Sequence, residues 1–215
     1  MAMLERLWDG IRTVLCIGAH ADDIEIGCGG TILRLAKERP GLHIAWAVFS
    51  AEGVRRAEAE ASARRFLEGV EVIDVEILDF PDRFFPSAWA DIKRHFDGLG
   101  QRYTPDLVLT HRKDDAHQDH RLLGELTWQT FRRHWLLEYE IPKYDGDLGQ
   151  PNLFVALPGA VLDRKVALLT QGYTSQQGKE WFSGDSLRAL ARLRGIEANA
   201  DTEFAEGFIC RKLTL

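Results

Sequence analysis

Apolar residues in this chain collect in short dense runs, separated by stretches in which they recur three or four apart, so strands and helices are predicted in turn. The run at 13–17 (Thr-Val-Leu-Cys-Ile) has the composition of a strand buried on both faces. Further strands are predicted at 43–49, 70–78 and 107–110, with helices at 32–38, 55–67 and 88–99 between them. Pro40-Gly41 closes the first helix, and the balanced charges of the second give it a solvated face. Downstream, the pattern predicts a helix over 121–137, a strand at 153–157, and helices at 159–171 and 185–194, the last ended by Gly195. A final strand at 204–213 is expected antiparallel at the sheet edge. Alternation of this kind indicates βαβ units and a parallel sheet.

Composition narrows the class without changing that picture. The 215 residues suffice for one domain, expected over 1–215, and 45% hydrophobic with 28% charged residues is an ordinary globular balance. With 33 acidic against 27 basic side chains the net charge is −6, which argues against nucleic acid or an anionic membrane as the main partner. No apolar run is long enough to span a membrane. The N-terminal stretch 1–10 carries Glu5 and Asp9 and reads as a short amphipathic helix rather than a signal peptide. Cys16, Cys28 and Cys210 show no paired spacing, as expected of buried reduced thiols in a cytoplasmic protein. The polar, Gly- and Pro-containing stretch 138–152 is expected to be an irregular loop serving as lid, binding loop or subunit contact, which leaves a homo-oligomer open.

Candidate chemistry lies at the strand ends. His20, Asp22 and Asp23 directly follow the first strand, and the cluster Asp114-Asp115-Ala116-His117-Gln118-Asp119-His120 follows the fourth. In parallel α/β sheets ligands bind beyond the carboxyl ends of the strands, where both clusters fall. Imidazoles and carboxylates crowded at a strand end lose solvation unless a cation or a hydrogen-bond network compensates. His20 and Asp23 can converge from one turn, leaving Asp22 beside them; His117 and His120, three apart at a helix start, share a face. Four candidate ligands and a free carboxylate suit a metal-activated water with a general base. His111 is read as a strand-end histidine packed beside the site, and Gly27, Gly29 and Gly30 as close helix packing rather than a phosphate cradle.

Ala19-His20-Ala21-Asp22-Asp23 with Gly27-Cys28-Gly29-Gly30-Thr31 resembles the first signature of the PIG-L/LmbE-like deacetylases, with alanines at 19 and 21 where that family often has prolines. Asp114–Arg121 resembles their second signature. Weaker echoes are Arg56 with Glu60, Phe80-Pro81-Asp82, Arg194-Gly195 and Ala205-Glu206-Gly207-Phe208. The resemblance implies an α/β, Rossmann-like fold whose mostly parallel sheet has helices on both faces. It further implies hydrolysis of an N-acetyl group on an N-acetylglucosamine-like amino sugar. By the same resemblance His20, Asp23 and His120 would bind Zn2+, although Fe2+ would also suit a two-histidine, one-carboxylate set. Asp22 would be the general base, and His117, oriented by Asp119, would stabilise the oxyanion; on chemical grounds a cationic His117 suits that task, with Asp119 or Asp114 as its carboxylate partner. Arg56 and Arg83 are candidate substrate contacts. Two other readings compete: a zinc amidase for a larger acyl conjugate, and a non-catalytic sugar- or nucleotide-binding module.

Overall fold

The computed structural model describes residues 8–39, 41–211 and 213. The amphipathic helix expected over 1–10 falls almost wholly outside them.

Strand β1 (Thr13–His20) shows why the sheet is buried on both sides. Val14 and Cys16 pack into one core, while Leu15, Ile17 and Ala19 pack into the other. Strand β2 (His43–Ser50) alternates likewise, with Ile44, Trp46 and Val48 opposite Ala45, Ala47 and Phe49. On the first face lie α1 (Asp23–Glu38), α2 (Gly53–Phe66), α5 (Gly159–Gly172) and α6 (Gly184–Glu197); on the second lie α3 (Trp89–Arg102) and α4 (Gln118–Thr130). The remaining strands are β3 (Val72–Ile77), β4 (Leu107–His111), β5 (Trp135–Tyr139), β6 (Leu153–Leu157) and β7 (Phe204–Ile209). Their order is β3-β2-β1-β4-β5-β7-β6. The first five run parallel and β7 pairs antiparallel with both β5 and β6. The chain winds outward from β1 and returns to β4 on its other side, so the crevice at the carboxyl ends of β1 and β4 is the switch point where such folds bind ligands. The fold class predicted from the sequence is the one observed.

Four expectations are corrected. The helix expected over 121–137 stops at Thr130, and Trp135–Tyr139 is β5, which pairs with β4 along its length. A short apolar run has no period of its own, so it read as a continuation of the amphipathic helix. Strand β7 is antiparallel but internal, and β6 forms the edge. Gly195 does not end a helix: α6 runs on to Glu197, and a Cβ at 195 would stand 2.0 Å from the Glu203 carbonyl oxygen. Glycine there lets the helix backbone touch the chain entering β7.

Helix α1 starts at Asp23, well before the expected position, and breaks at Cys28 (φ −143°, ψ 15°). The break is stabilised by a buried ion pair. Glu206 accepts the N–H groups of Gly30 (2.8 Å) and Thr31 (2.7 Å), while Lys165 donates to the Ile26 carbonyl and to Glu206, both at 2.6 Å. The glycines around the break allow close packing, as the sequence suggested; a Cβ on Gly27 would lie 2.2 Å from the Tyr139 ring. Cys16 and Cys28 are buried free thiols. Among the described residues no helix is long and apolar enough to cross a membrane.

Candidate metal and active site

β1 delivers His20 to the crevice, and the chain turns through Ala21 and Asp22 into α1 at Asp23. The backbone N–H of His20 donates to Asp23 Oδ2 at 2.7 Å, which fixes the carboxylate beside the ring. Tyr173 braces the turn, its hydroxyl meeting the Ala21 carbonyl and, at 2.5 Å, Glu25 Oε1. Burial pushes the Glu25 carboxyl up to about 8. The Tyr173 hydroxyl is placed to donate to either oxygen and so ties the turn to Glu25.

From the other side of the switch point, β4 and the loop after it lead to the first turn of α4, which carries Asp119 and His120. Three donor atoms meet: His20 Nδ1 lies 3.2 Å from Asp23 Oδ2 and 3.2 Å from His120 Nε2, and the latter two are 3.4 Å apart. Nitrogen and oxygen ligands about 2.0–2.1 Å from a tetrahedral zinc lie roughly 3.3–3.4 Å from one another. This near-equilateral triangle therefore fits one small divalent cation. His111 Nε2 also comes within 3.2 Å of Asp23, but it accepts the Ala19 N–H at 2.9 Å, so its lone pair is taken. It is wholly buried and stacked on His120 at 4.0 Å, packed beside the site. Three other groupings come within reach of one ion: Asp23 with His111 and His120, His20 with His117 and His120, and His20 with Asp82, His117 and Asp119. In the last, however, both Asp119 oxygens serve the backbone, accepting from Arg83 (2.6 Å) and Phe85 (3.1 Å).

The triangle is oriented from behind. Asp115 Oδ2 lies 3.3 Å from His120 Nδ1, while Oδ1 accepts the His117 N–H at 2.8 Å and faces Lys143 Nζ at 3.1 Å. Burial alone would raise the Asp115 carboxyl; the hydrogen bond to His120 and the charges of His120, His111 and Lys143 outweigh it and hold it well below the usual range. The partner carboxylate leaves Nε2 of His120 as the free donor. His20 Nε2 in turn faces Asp82 (3.0 Å) and Asp119 (3.3 Å).

Asp22 is buried against this corner. Oδ1 accepts from Arg55 Nη2 at 2.8 Å, and Oδ2 has no hydrogen-bond partner. Burial raises its pKa, with the Arg55 charge opposing. His117 caps α4, its Nδ1 accepting the Asp119 N–H at 3.3 Å. That bond leaves the proton on Nε2, and burial followed by the charge of His20 pushes the ring's pKa down. The sequence reading had His117 oriented by Asp119, with Asp119 or Asp114 as the carboxylate partner of a cationic ring; here the contact of His117 Nδ1 is with the Asp119 backbone N–H, and the Asp119 carboxylate clamps the loop after β3. The clamp holds Arg83 at φ 67°, a left-handed conformation costly for a residue with a Cβ.

These groups open onto a cavity of about 830 Å³ lined by Asp22, His20, His117 and His120, and further out by Arg83. Arg56 is not on its wall: the side chain points to solvent and pairs with Glu60 at 3.1 Å. Arg55 lines the cavity instead. Sequence reasoning passed over it, although Arg55, Ala59, Ser62 and Phe66 fall at helical spacing on the buried face of α2. The expected loop residues Lys143 and Tyr144 line the cavity, whereas Tyr139 is in the core, its hydroxyl on the Ile17 carbonyl at 2.6 Å.

The chain matches the family described as PIG-L: GlcNAc-PI de-N-acetylase over residues 15–131. Among similar proteins is the Uncharacterized deacetylase YaiS of Escherichia coli, 29% identical over 143 residues, covering 61% of this chain and 75% of that one. Another is the Diacetylchitobiose deacetylase of Thermococcus kodakarensis, 26% identical over 133 residues, covering 55% of this chain and 49% of that one. Among solved structures, the 4-carboxy-2-hydroxymuconate hydratase GalB of Pseudomonas putida superposes with a TM-score of 0.75 at 20% identity, over 95% of this chain and 98% of that one. The last likeness is one of fold.

Proposed function

The chain belongs to the PIG-L family, and from that premise we propose that it is a metal-dependent amide hydrolase that removes the N-acetyl group from an N-acetylglucosamine-like amino sugar. The observation that carries the reading is the donor triangle of His20, Asp23 and His120 with the half-unpartnered Asp22 beside it. A resemblance in fold to a hydratase does not weigh against it, since one fold hosts unrelated reactions. The deacetylases among the similar proteins lend the substrate class.

His20, Asp23 and His120 would hold the cation, with Zn2+ preferred for a donor set of two imidazoles and one carboxylate. A divalent ion held there supplies a Lewis acid and acidifies water to a pKa of about 7. Asp22 Oδ2 is the acceptor for the proton of the attacking water, and Arg55 on Oδ1 keeps the free oxygen aimed at the cavity. His117, with its proton on Nε2, donates to the oxygen that gains charge as the carbonyl carbon becomes tetrahedral. Breakage of the C–N bond then takes the proton from Asp22 to the leaving nitrogen, yielding acetate and a free amine. Arg83 is a candidate contact for the sugar at the cavity mouth.

Acetate and primary amine, followed together after incubating purified protein and Zn2+ with N-acetylglucosamine and its glycosides, should appear in equal amounts. Acyl groups longer than acetyl form the second arm and test the wider amidase reading. The proposal fails if no amide is cleaved, or if Asp22→Ala leaves the rate intact.

A further inference from the structure

The three residues of the first turn are not held equally. His20 and Asp23 are tied to each other across it, the His20 N–H on Asp23 Oδ2 at 2.7 Å, and Asp23 also meets His111 and His120. The Asp22 carboxylate has only Arg55, on Oδ1, while Oδ2 is bare. A proton acceptor must nevertheless be aimed.

Both supports of Asp22 lead to one residue. Tyr173, wholly buried just past the end of α5, sets its hydroxyl on the Ala21 carbonyl. That carbonyl belongs to the planar peptide that joins Ala21 to Asp22, so fixing it fixes the Asp22 main chain. The Tyr173 ring lies 5.8 Å from the Arg55 guanidinium carbon, within reach of a cation–π contact. The next two residues tie the tyrosine to α2. Buried Glu58 accepts the Thr174 hydroxyl (3.0 Å), the Ser175 N–H (2.9 Å) and the Ser175 hydroxyl. Arg55 and Glu58 stand three apart on one helix, so the same face of α2 sets the guanidinium and the segment that carries the ring.

Resting on the reading above, we infer that Tyr173 is a positioning residue for the proton acceptor. It holds the Asp22 main chain through Ala21 and the Asp22 carboxylate through Arg55. A phenylalanine would fill the same core, keep the ring beside Arg55 and lose the hydroxyl. The buried Ala21 carbonyl, short of that donor, then turns toward another and carries Asp22 with it. His20 and Asp23 keep their own bond across the turn, so the metal ligands stay in place.

Zinc-loaded Tyr173→Phe and the unsubstituted protein are compared for kcat, KM and Zn2+ affinity, the last by chelator competition. A misplacement of about 1 Å costs about 100-fold, so kcat should fall roughly 10- to 100-fold while KM and Zn2+ affinity stay within about twofold. A crystal structure of the variant adds a readout that needs no turnover. The Ala21 peptide should be rotated and the 2.8 Å contact between Asp22 and Arg55 lengthened, with the three metal donors unmoved. An unmoved Asp22 or an unchanged kcat overturns the inference. So does a kcat that falls together with Zn2+ affinity, which would make the hydroxyl a prop for the whole turn. Should Tyr173→Phe fail to fold, Ser175→Ala removes one tie to Glu58, leaves the tyrosine whole and is read by the same split. No amide cleavage by the unsubstituted protein, with Asp22 displaced in the variant, sinks only the deacetylase; cleavage with kcat unchanged in the variant sinks only the role of Tyr173.

Discussion

Helix α1 is held by two buried polar clusters that treat their charges in opposite ways. At its break, Lys165 and Glu206 are each about 5% exposed, and the bonds they make are internal: to each other, to one orphaned carbonyl, to two orphaned N–H groups and to the Thr31 hydroxyl. At its N-terminus, Asp22, Asp23 and His120 are equally buried, yet the cluster is incomplete. Asp22 Oδ2 and His111 Nδ1 lack partners, and three donor atoms converge within 3.2–3.4 Å of one another. An ion pair that closes on itself does structural work. A cluster with a bare carboxylate oxygen and three converging donor atoms is open to a ligand.

The largest effect should come from breaking the open cluster at its free oxygen. Asp22→Asn keeps shape and hydrogen-bonding capacity but removes the proton acceptor, and a loss of about 10³- to 10⁴-fold in kcat is expected. Melting temperature should change little, since the loss of a buried charge with one bare oxygen is offset by the loss of Arg55's counter-charge, and Arg55 keeps partial contact with water. Steady-state kinetics beside calorimetry checks both halves; a variant that unfolds with its activity intact would reverse the assignment.

The closed cluster should show the mirror image. Glu206→Gln leaves the Lys165 ammonium buried without its counter-charge, a change worth about 3–5 kcal/mol. For a chain of this size that corresponds to a fall in melting temperature of roughly 6–20 °C. Metal stoichiometry at temperatures where the variant stays folded should be unchanged. Loss of metal without loss of stability would mean that Glu206 serves the site and that the two clusters are not separate.

How much of this was legible beforehand follows the same division. His20, Asp22, Asp23 and His120 stood out because histidines and carboxylates at a strand end have no cheap structural explanation, and the strand–helix alternation placed both clusters at one edge. Lys165 gave no such signal, and Glu206 appeared only within the Ala205–Phe208 echo, with no role attached. Their partnership spans forty-one positions and exists to serve a break in α1 that the Gly-Cys-Gly-Gly run hinted at but did not locate. Strand β5 was hidden for a different reason: Trp-Leu-Leu carries no period, and only pairing with β4 makes it a strand. Nothing in the chain pattern shows that the Asp119 carboxylate clamps Arg83 and Phe85 some thirty-five residues away, or that its contact with His117 runs through the backbone N–H.

A smaller effect separates the triangle from its support. Asp115→Asn leaves all three donors in place but replaces the carboxylate behind His120 with an amide, which fixes the ring less firmly. Metal affinity should drop about 10- to 100-fold, as read by competition with a chromophoric chelator. A larger loss would mean that Asp115 itself belongs among the ligands.

The smallest effect tests the finest distinction, between two adjacent arginines. Arg56 pairs with Glu60 across one turn of exposed helix, an arrangement worth about 0.3–0.5 kcal/mol. Arg56→Ala should therefore shift melting by no more than about 2 °C and leave kcat and KM within twofold. Arg55 occupies the opposite situation one position earlier: its guanidinium meets the buried Asp22 and lies 5.8 Å from the Tyr173 ring. Arg55→Ala removes the charge that opposes burial at Asp22, so the carboxyl is protonated more readily and less of it is available as a base. A one-unit rise is a tenfold change in the protonation ratio, so activity near neutral pH should fall by about 10-fold or more once that pKa approaches the assay pH. The direction is the discriminating feature. Raising the pH should restore part of the rate in Arg55→Ala and none in Arg56→Ala, because only the first substitution changes how firmly a proton is held at the reacting corner. If both variants behave like the parent protein, Asp22 does not depend on Arg55, and its free oxygen must be set by the bound cation alone.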